Sequence, residues 1–132
     1  MGQQKETPCP CGSGKDYALC CGRYHGETNA PTAEALMRSR YSAYTMARAH
    51  YLRETWHAST RPDELNLDSD RSTRWIGLDI KRCEQTGPES ATVEFVARYK
   101  IAGRAYRLHE ISRFVREEGR WYYVDGTFPE KD

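Results

Sequence analysis

No apolar run in the 132 residues approaches the length of about 18 that a membrane-spanning helix needs. The opening Met1-Gly2-Gln3-Gln4-Lys5-Glu6 lacks the apolar centre of a secretory signal, and Glu6 stands where a myristoylation site wants Ser or Thr. Charge of one sign is also missing, since 20 Lys and Arg face 19 Asp and Glu for a net +1. No overall field therefore draws the molecule to nucleic acid or anionic lipid. Residues 31–62, with five Arg against two Glu, carry a local net +3, which reads first as a solvated helix face. No motif for a nucleotide, haem, flavin or pyridoxal cofactor is present. These absences leave a soluble protein, expected in the reducing cytoplasm, without a specific nucleic-acid signal.

Cysteine is scarce but concentrated: four of the five lie in Cys9-Pro10-Cys11-Gly12-Ser13-Gly14-Lys15-Asp16-Tyr17-Ala18-Leu19-Cys20-Cys21. In a reducing compartment clustered thiols read as metal ligands, and disulfides tying such close pairs would be strained. A segment this short cannot bury enough apolar surface to fold without a staple. Zn2+ takes about four thiolates in tetrahedral geometry, and Gly12 and Gly14 permit the tight turn that brings two pairs together. Cys9, Cys11, Cys20 and Cys21 are therefore the expected ligands of one structural zinc ion, with iron or redox chemistry as alternatives. Lys15 and Arg23 can partly offset the negative charge of four thiolates around a divalent ion. Gly12-Ser13-Gly14-Lys15 alone suggests a phosphate loop, but Asp16 replaces the needed Ser or Thr and no strand precedes it.

Behind this module the pattern is first helical. Ala33, Met37, Tyr41 and Tyr44 recur at helical spacing, with Thr32 as candidate N-cap, and His50 to Trp56 reads as a short second helix. Residues 63–73 read as a loop or one further helical turn. Alternation then takes over: Ile76 to Ile80, Ala91 to Ile101, Ala105 to Val115 and Trp121 to Val124 read as strands, punctuated by Gly-containing turns. Helices followed by an antiparallel meander give an α+β class.

The cysteine stretch resembles the SEC-C motif, the zinc-binding tail of the bacterial preprotein translocase ATPase, in its Cys-x-Cys, Gly-Ser-Gly-Lys and Cys-Cys. Leu36 to Tyr44, Thr55-Trp56-His57, Val93 to Tyr99, Leu108 to Phe114 and Gly119 to Gly126 resemble the YchJ-like bacterial family. The resemblance implies that residues 1–28 form a SEC-C module and residues 29–132 a domain similar to nuclear transport factor 2. It implies a curved antiparallel sheet wrapped around helices, a cystatin-like cone often enclosing a pocket. In the translocase the motif contacts an export chaperone and ribosomes, so the implied partner is another protein reached through the zinc module. Some family members carry a second SEC-C motif at the C-terminus, which this chain lacks.

Such a fold does not fix an activity. The first functional reading is a zinc-containing binding or adaptor protein; the alternative is a small isomerase- or dehydratase-type enzyme, with a small molecule in the pocket. The polar residues available to the pocket or to structure are Arg40, His57, Glu110 and Asp125, while Arg38, Arg98 and Arg113 can hold an anion. Glu110 alternates with Leu108 and Phe114 and is expected inward, and His109, its neighbour, outward. Arg40, one turn from Leu36 and Tyr44, is expected to meet Glu110 in a buried ion pair. Cys83 reads as packing, and His57 as a helix-end cap. Trp121, Tyr122 and Tyr123 put an aromatic on each face of a strand, which would suit a homodimer.

Overall fold

The computed structural model describes residues 8–26, 29–63 and 73–129. A 3-10 turn, Tyr17–Leu19, leads into α1, Cys21–His25, and is followed by α2, Ala33–Thr45, and α3, Ala49–Glu54. Four strands complete the chain: β1, Thr73–Gly87; β2, Ser90–Ile101; β3, Arg104–Glu117; and β4, Arg120–Thr127. The expected loop or helical turn at residues 63–73 falls almost wholly outside the described residues. Among the described residues no helix is long and apolar enough to cross a membrane.

α2 is the organising element. Thr32 caps it as expected, its hydroxyl oxygen accepting from the Ala35 amide at 3.0 Å, with Glu34 in the positively polarised first turn. The helix ends at Met46, and Ala47 follows in the left-handed region at φ 55°. One face of α2 receives α1 and the cysteine stretch; the other lies on the sheet against β1, β2 and β4. It is therefore buried nearly all round, which explains why Leu36, Met37, Ser39, Arg40, Tyr41, Ser42 and Ala43 are all buried despite a polar composition. Phe114, Leu36, Leu52 and Val93 are fully enclosed, each contributing about 1.5–3 kcal/mol through burial.

The strands lie in chain order β1-β2-β3-β4, every pair antiparallel. Ala91, Val93, Phe95 and Ala97 face the helices and are buried, as their alternation requires. The cone does not form. Among the described residues each strand pairs within the sheet only with its chain neighbours, and β1 and β4 do not meet. The outer edge of β4 takes just a parallel bridge at Tyr123 from residues 55–57, so the sheet is neither curled nor closed. Closure requires the first and last strands to meet through a staggered register. Here β2 and β3 pair residue for residue from Ser90↔Val115 to Ile101↔Arg104, and the eight-residue β4 reaches only the Ile111–Glu117 half of β3. α2 covers the open sheet like a lid, and the resulting gap is a cavity of about 250 Å³.

Candidate metal centre

The cysteine stretch closes on itself through its backbone. The Cys9 amide donates to the Lys15 carbonyl at 2.9 Å and the Gly12 amide to the Cys9 carbonyl at 3.2 Å. Gly12 and Gly14 take φ of 82° and 88°, left-handed values that side-chain-bearing residues rarely adopt. This loop turns Cys9 and Cys11 back toward Cys20 and Cys21 at the start of α1. All four sulfurs lie within 4.8 Å of one another and all four residues are buried.

The donor set fits a four-coordinate cation. Sulfurs about 2.3 Å from a tetrahedral ion stand about 3.8 Å apart; the Cys11 and Cys20 Sγ atoms are 3.7 Å apart. None of the cysteines is in a disulfide. The crowd of sulfurs favours a thiolate: the Cys21 thiol's hydrogen bond pushes Cys11 down to about 4, and the same contact pushes Cys21 up. Hydroxyls serve the sulfurs from outside, Ser13 Oγ 3.2 Å from Cys20 Sγ and Ser42 Oγ of α2 3.5 Å from Cys9 Sγ. Such outer partners orient ligands in metal sites. Arg38 binds the Cys11 carbonyl at 3.2 Å and Arg23 the Cys20 carbonyl at 3.2 Å, so both place positive charge beside the cluster.

Ser42, Arg38 and His25 are absent from the sequence-level site, because nothing in their spacing ties them to the cysteines. His25 fastens α1 to α2. Its Nε2 lies 2.8 Å from the Ser39 carbonyl, which can only accept, so Nε2 carries the proton. Nδ1 then accepts from the Tyr17 hydroxyl at 2.6 Å. Burial pushes the His25 pKa below 6.5, favouring this neutral ring in the folded state. The unfolded chain therefore binds the proton more readily, and the contribution is complete above pH 6.5 and declines as pH falls toward the lower folded value. Thermal or urea unfolding from pH 8 to 5 should show wild type losing stability below about pH 6.5, by at most about 1.4 kcal/mol per pH unit for one proton. His25→Gln should lose less over the same range; equal slopes would remove His25 from this role.

The other candidates divide between the cavity and the surface. Arg40 and Glu110 line the cavity beneath α2, with exposures of 3% and 9%. They do not form the expected ion pair among the described residues. Arg40 Nη1 donates instead to the Leu52 carbonyl at 2.9 Å and the Thr55 hydroxyl at 2.7 Å, and the guanidinium lies against the Trp56 and Tyr123 rings. Glu110 Oε2 accepts from the Ser112 hydroxyl at 2.9 Å and the Tyr123 hydroxyl at 3.2 Å. Tyr123 thus stands between the two charges. Gly126 is what makes room for this carboxylate, since a Cβ there would lie 2.6 Å from Glu110 Cδ.

His57 is away from the cavity: its Nε2 is 2.8 Å from Glu117 and its Nδ1 2.7 Å from the Ser59 hydroxyl. Asp125 is bound by Arg113 through two contacts of 2.6 and 2.7 Å on the outer surface, which holds its carboxyl below the usual range. His109 lies on the sheet face opposite Glu110, its ring largely buried and its Nε2 2.7 Å from the Glu94 carboxylate. Arg38 and Arg98 pair with Glu34 and Asp79. Cys83 is exposed rather than packed, and partial desolvation together with the neighbouring Glu34 carboxylate pushes its thiol up to about 11. Trp121 is buried, and Tyr122 meets His57 edge-on.

The model described as "YchJ, middle NTF2-like domain" matches residues 32–126, and that of the SEC-C motif matches residues 7–23. A UPF0225 protein of Chromobacterium violaceum is 57% identical over 129 residues, covering 94% of this chain and 95% of that one. A UPF0225 protein of Cupriavidus metallidurans is 58% identical over 131 residues, covering 94% and 91%. The solution structure of a SEC-C motif containing protein from Rhodopseudomonas palustris has a TM-score of 0.83 at 35% identity, covering 94% of this chain and all 100% of that one. A crystal structure of a SEC-C motif containing protein from Psychrobacter arcticus has a TM-score of 0.78 at 28% identity, with 96% and 85% covered. The chain belongs to the YchJ-like, or UPF0225, family, with a SEC-C motif ahead of its NTF2-like domain.

Proposed function

We propose that the protein is a zinc-containing adaptor that binds another protein through its cysteine module. In this reading residues 1–28 are the module, residues 29–132 the domain that carries it, and the cytoplasm its compartment. Cys9, Cys11, Cys20 and Cys21 would hold Zn2+ in a closed, four-thiolate site. Such a site supplies folding energy and leaves no open position for a substrate. The adaptor reading is favoured over an enzyme because His57 and Asp125 lie toward the surface with their own partners, so among the described residues no His–carboxylate pair meets in the cavity.

The observation that carries the reading is Leu19. It sits on the 3-10 turn just before Cys20 and is 66% exposed, a large apolar side chain held out by the metal loop. Lys15 and Arg23, four residues before and after it in the chain, are exposed as well. An apolar anchor with a charged rim is the composition of a protein-binding patch. Zinc-loaded protein immobilised for capture from cell lysate should retain a defined partner. Leu19→Glu should reduce that capture at least about tenfold, the loss of one anchor worth about 1.4 kcal/mol, while keeping its zinc. Undiminished capture by Leu19→Glu, or no specific capture by wild type, would rule the module out as the contact surface.

A further inference from the structure

The cavity between α2 and the sheet is separate from the cysteine module, and its lining is chemically specific. Five rings contribute, Tyr41, Tyr44, Trp75, Phe95 and Tyr123, together with the small Ala97. Its volume of about 250 Å³ exceeds the roughly 150 Å³ in which an apolar protein cavity takes up benzene. One ring with a substituent, or a fused pair of rings, matches that space. Tyr44, Trp75 and Leu108 are only partly buried, so the cavity reaches solvent on their side.

Within these apolar walls stands one carboxylate. Ser112 and Tyr123 both donate to Oε2 of Glu110, and Oε2 is also the oxygen nearest Gly126 on β4. Oε1 has no donor among the described residues and is not one of their fully buried unpaired polar atoms, so it stays accessible from the cavity. A ligand whose N–H or O–H reaches this oxygen exchanges a contact with water for a charge-assisted hydrogen bond inside apolar walls. No ion pair joins Arg40 to Glu110: Arg40 Nη1 donates to the Leu52 carbonyl and the Thr55 hydroxyl, and the guanidinium lies over the Trp56 and Tyr123 rings.

Charge decides the ligand's character. Arg40 and Glu110 bring one positive and one negative charge to the same enclosed region, so an added ion of either sign would stay uncompensated there. We infer that the cavity binds a small, neutral, flat aromatic molecule bearing one N–H or O–H donor, which is taken up by Oε1 of Glu110. This goes beyond the adaptor reading and does not depend on it.

Indole, as the probe, distinguishes this site from a merely apolar hole when titrated into the full zinc-loaded chain and followed by amide chemical shifts. Saturable shifts are expected at Phe95, Ala97, Glu110 and Ser112. N-methylindole, which lacks the donor, should bind at least about tenfold more weakly, the value of a hydrogen bond to a charged acceptor. Benzylamine and benzoate, which carry charge, should also bind at least about tenfold more weakly than indole. Ala97→Leu, which fills the cavity, should lower indole affinity at least about tenfold. No saturable indole binding, equal affinity for N-methylindole, or unchanged affinity in Ala97→Leu would each overturn the assignment. The first two comparisons use the wild-type chain and stand whether or not the variant folds.

Discussion

Cys20→Ser should release the metal and loosen the module while the sheet stays folded. Structural zinc sites of this kind bind with roughly 10–16 kcal/mol, so a quarter share, about 2.5–4 kcal/mol, corresponds to an affinity loss of roughly a hundredfold to a thousandfold. The local consequence follows from how little else holds the segment. α1 has five residues and the 3-10 turn three, both below the length at which a helix is stable alone. Among the described residues the module's remaining hydrogen bonds to α2 are His25 to the Ser39 carbonyl, Arg38 to the Cys11 carbonyl and the Ser42 hydroxyl to the Cys9 sulfur. β2 and β3, by contrast, are tied by a ladder running from Ser90 to Ile101 and from Arg104 to Val115. Amide spectra of the variant should therefore lose the dispersed signals of residues 9–26 and keep those of Val93 and Phe114. Full retention of the module's signals without metal would show that the thiols are not its staple.

Arg40→Ala should cost about 3–5 kcal/mol, and Glu110→Gln only about 1–2 kcal/mol. The asymmetry comes from the partners. Arg40 is compensated by neutral acceptors and ring faces, and its removal leaves the Leu52 carbonyl and Thr55 hydroxyl without its donor and a void where the guanidinium packed on Trp56 and Tyr123. A glutamine at 110 still offers an oxygen to Ser112 and Tyr123. Tyr123 is sensitive to both charges: burial raises its hydroxyl pKa, the Glu110 carboxylate raises it further, and Arg40 acts in the opposite sense. Urea unfolding of the two variants and of the double variant measures the coupling, expected below about 1 kcal/mol because no direct pair joins them. Equal losses from the two single changes would mean that the carboxylate's charge, and not its acceptor oxygens, holds this centre together.

The sequence made some features legible and hid others for identifiable reasons. The thiol cluster could be read because its ligands lie close along the chain and glycine supplies the turn. Thr32 and the alternation through Ala91, Val93, Phe95 and Ala97 are local signals, and the structure follows them. Alternation also put Glu110 inward and His109 outward, and helical spacing turned Arg40 toward the sheet. Periodicity names a face, however, and not a partner. Arg40 found backbone and hydroxyl acceptors at the end of α3, and Glu110 found hydroxyls on its own strand and on β4. β1 runs from Thr73 to Gly87, well beyond the apolar Ile76 to Ile80 stretch, because its exposed second half pairs with β2 through the backbone. Sheet closure is the least local property of all. It depends on whether β1 meets β4, which no short-range pattern encodes, and the expected cone was therefore not formed.

The central claim is that four buried thiols hold one zinc ion, and elemental analysis of freshly reduced, purified protein tests it most directly. One zinc per chain is expected, lost together with the module's dispersed signals on strong chelation. A stoichiometric iron content would keep the ligand cluster and reject the ion. Absence of any stoichiometric metal, with the module's signals intact, would contradict the claim itself.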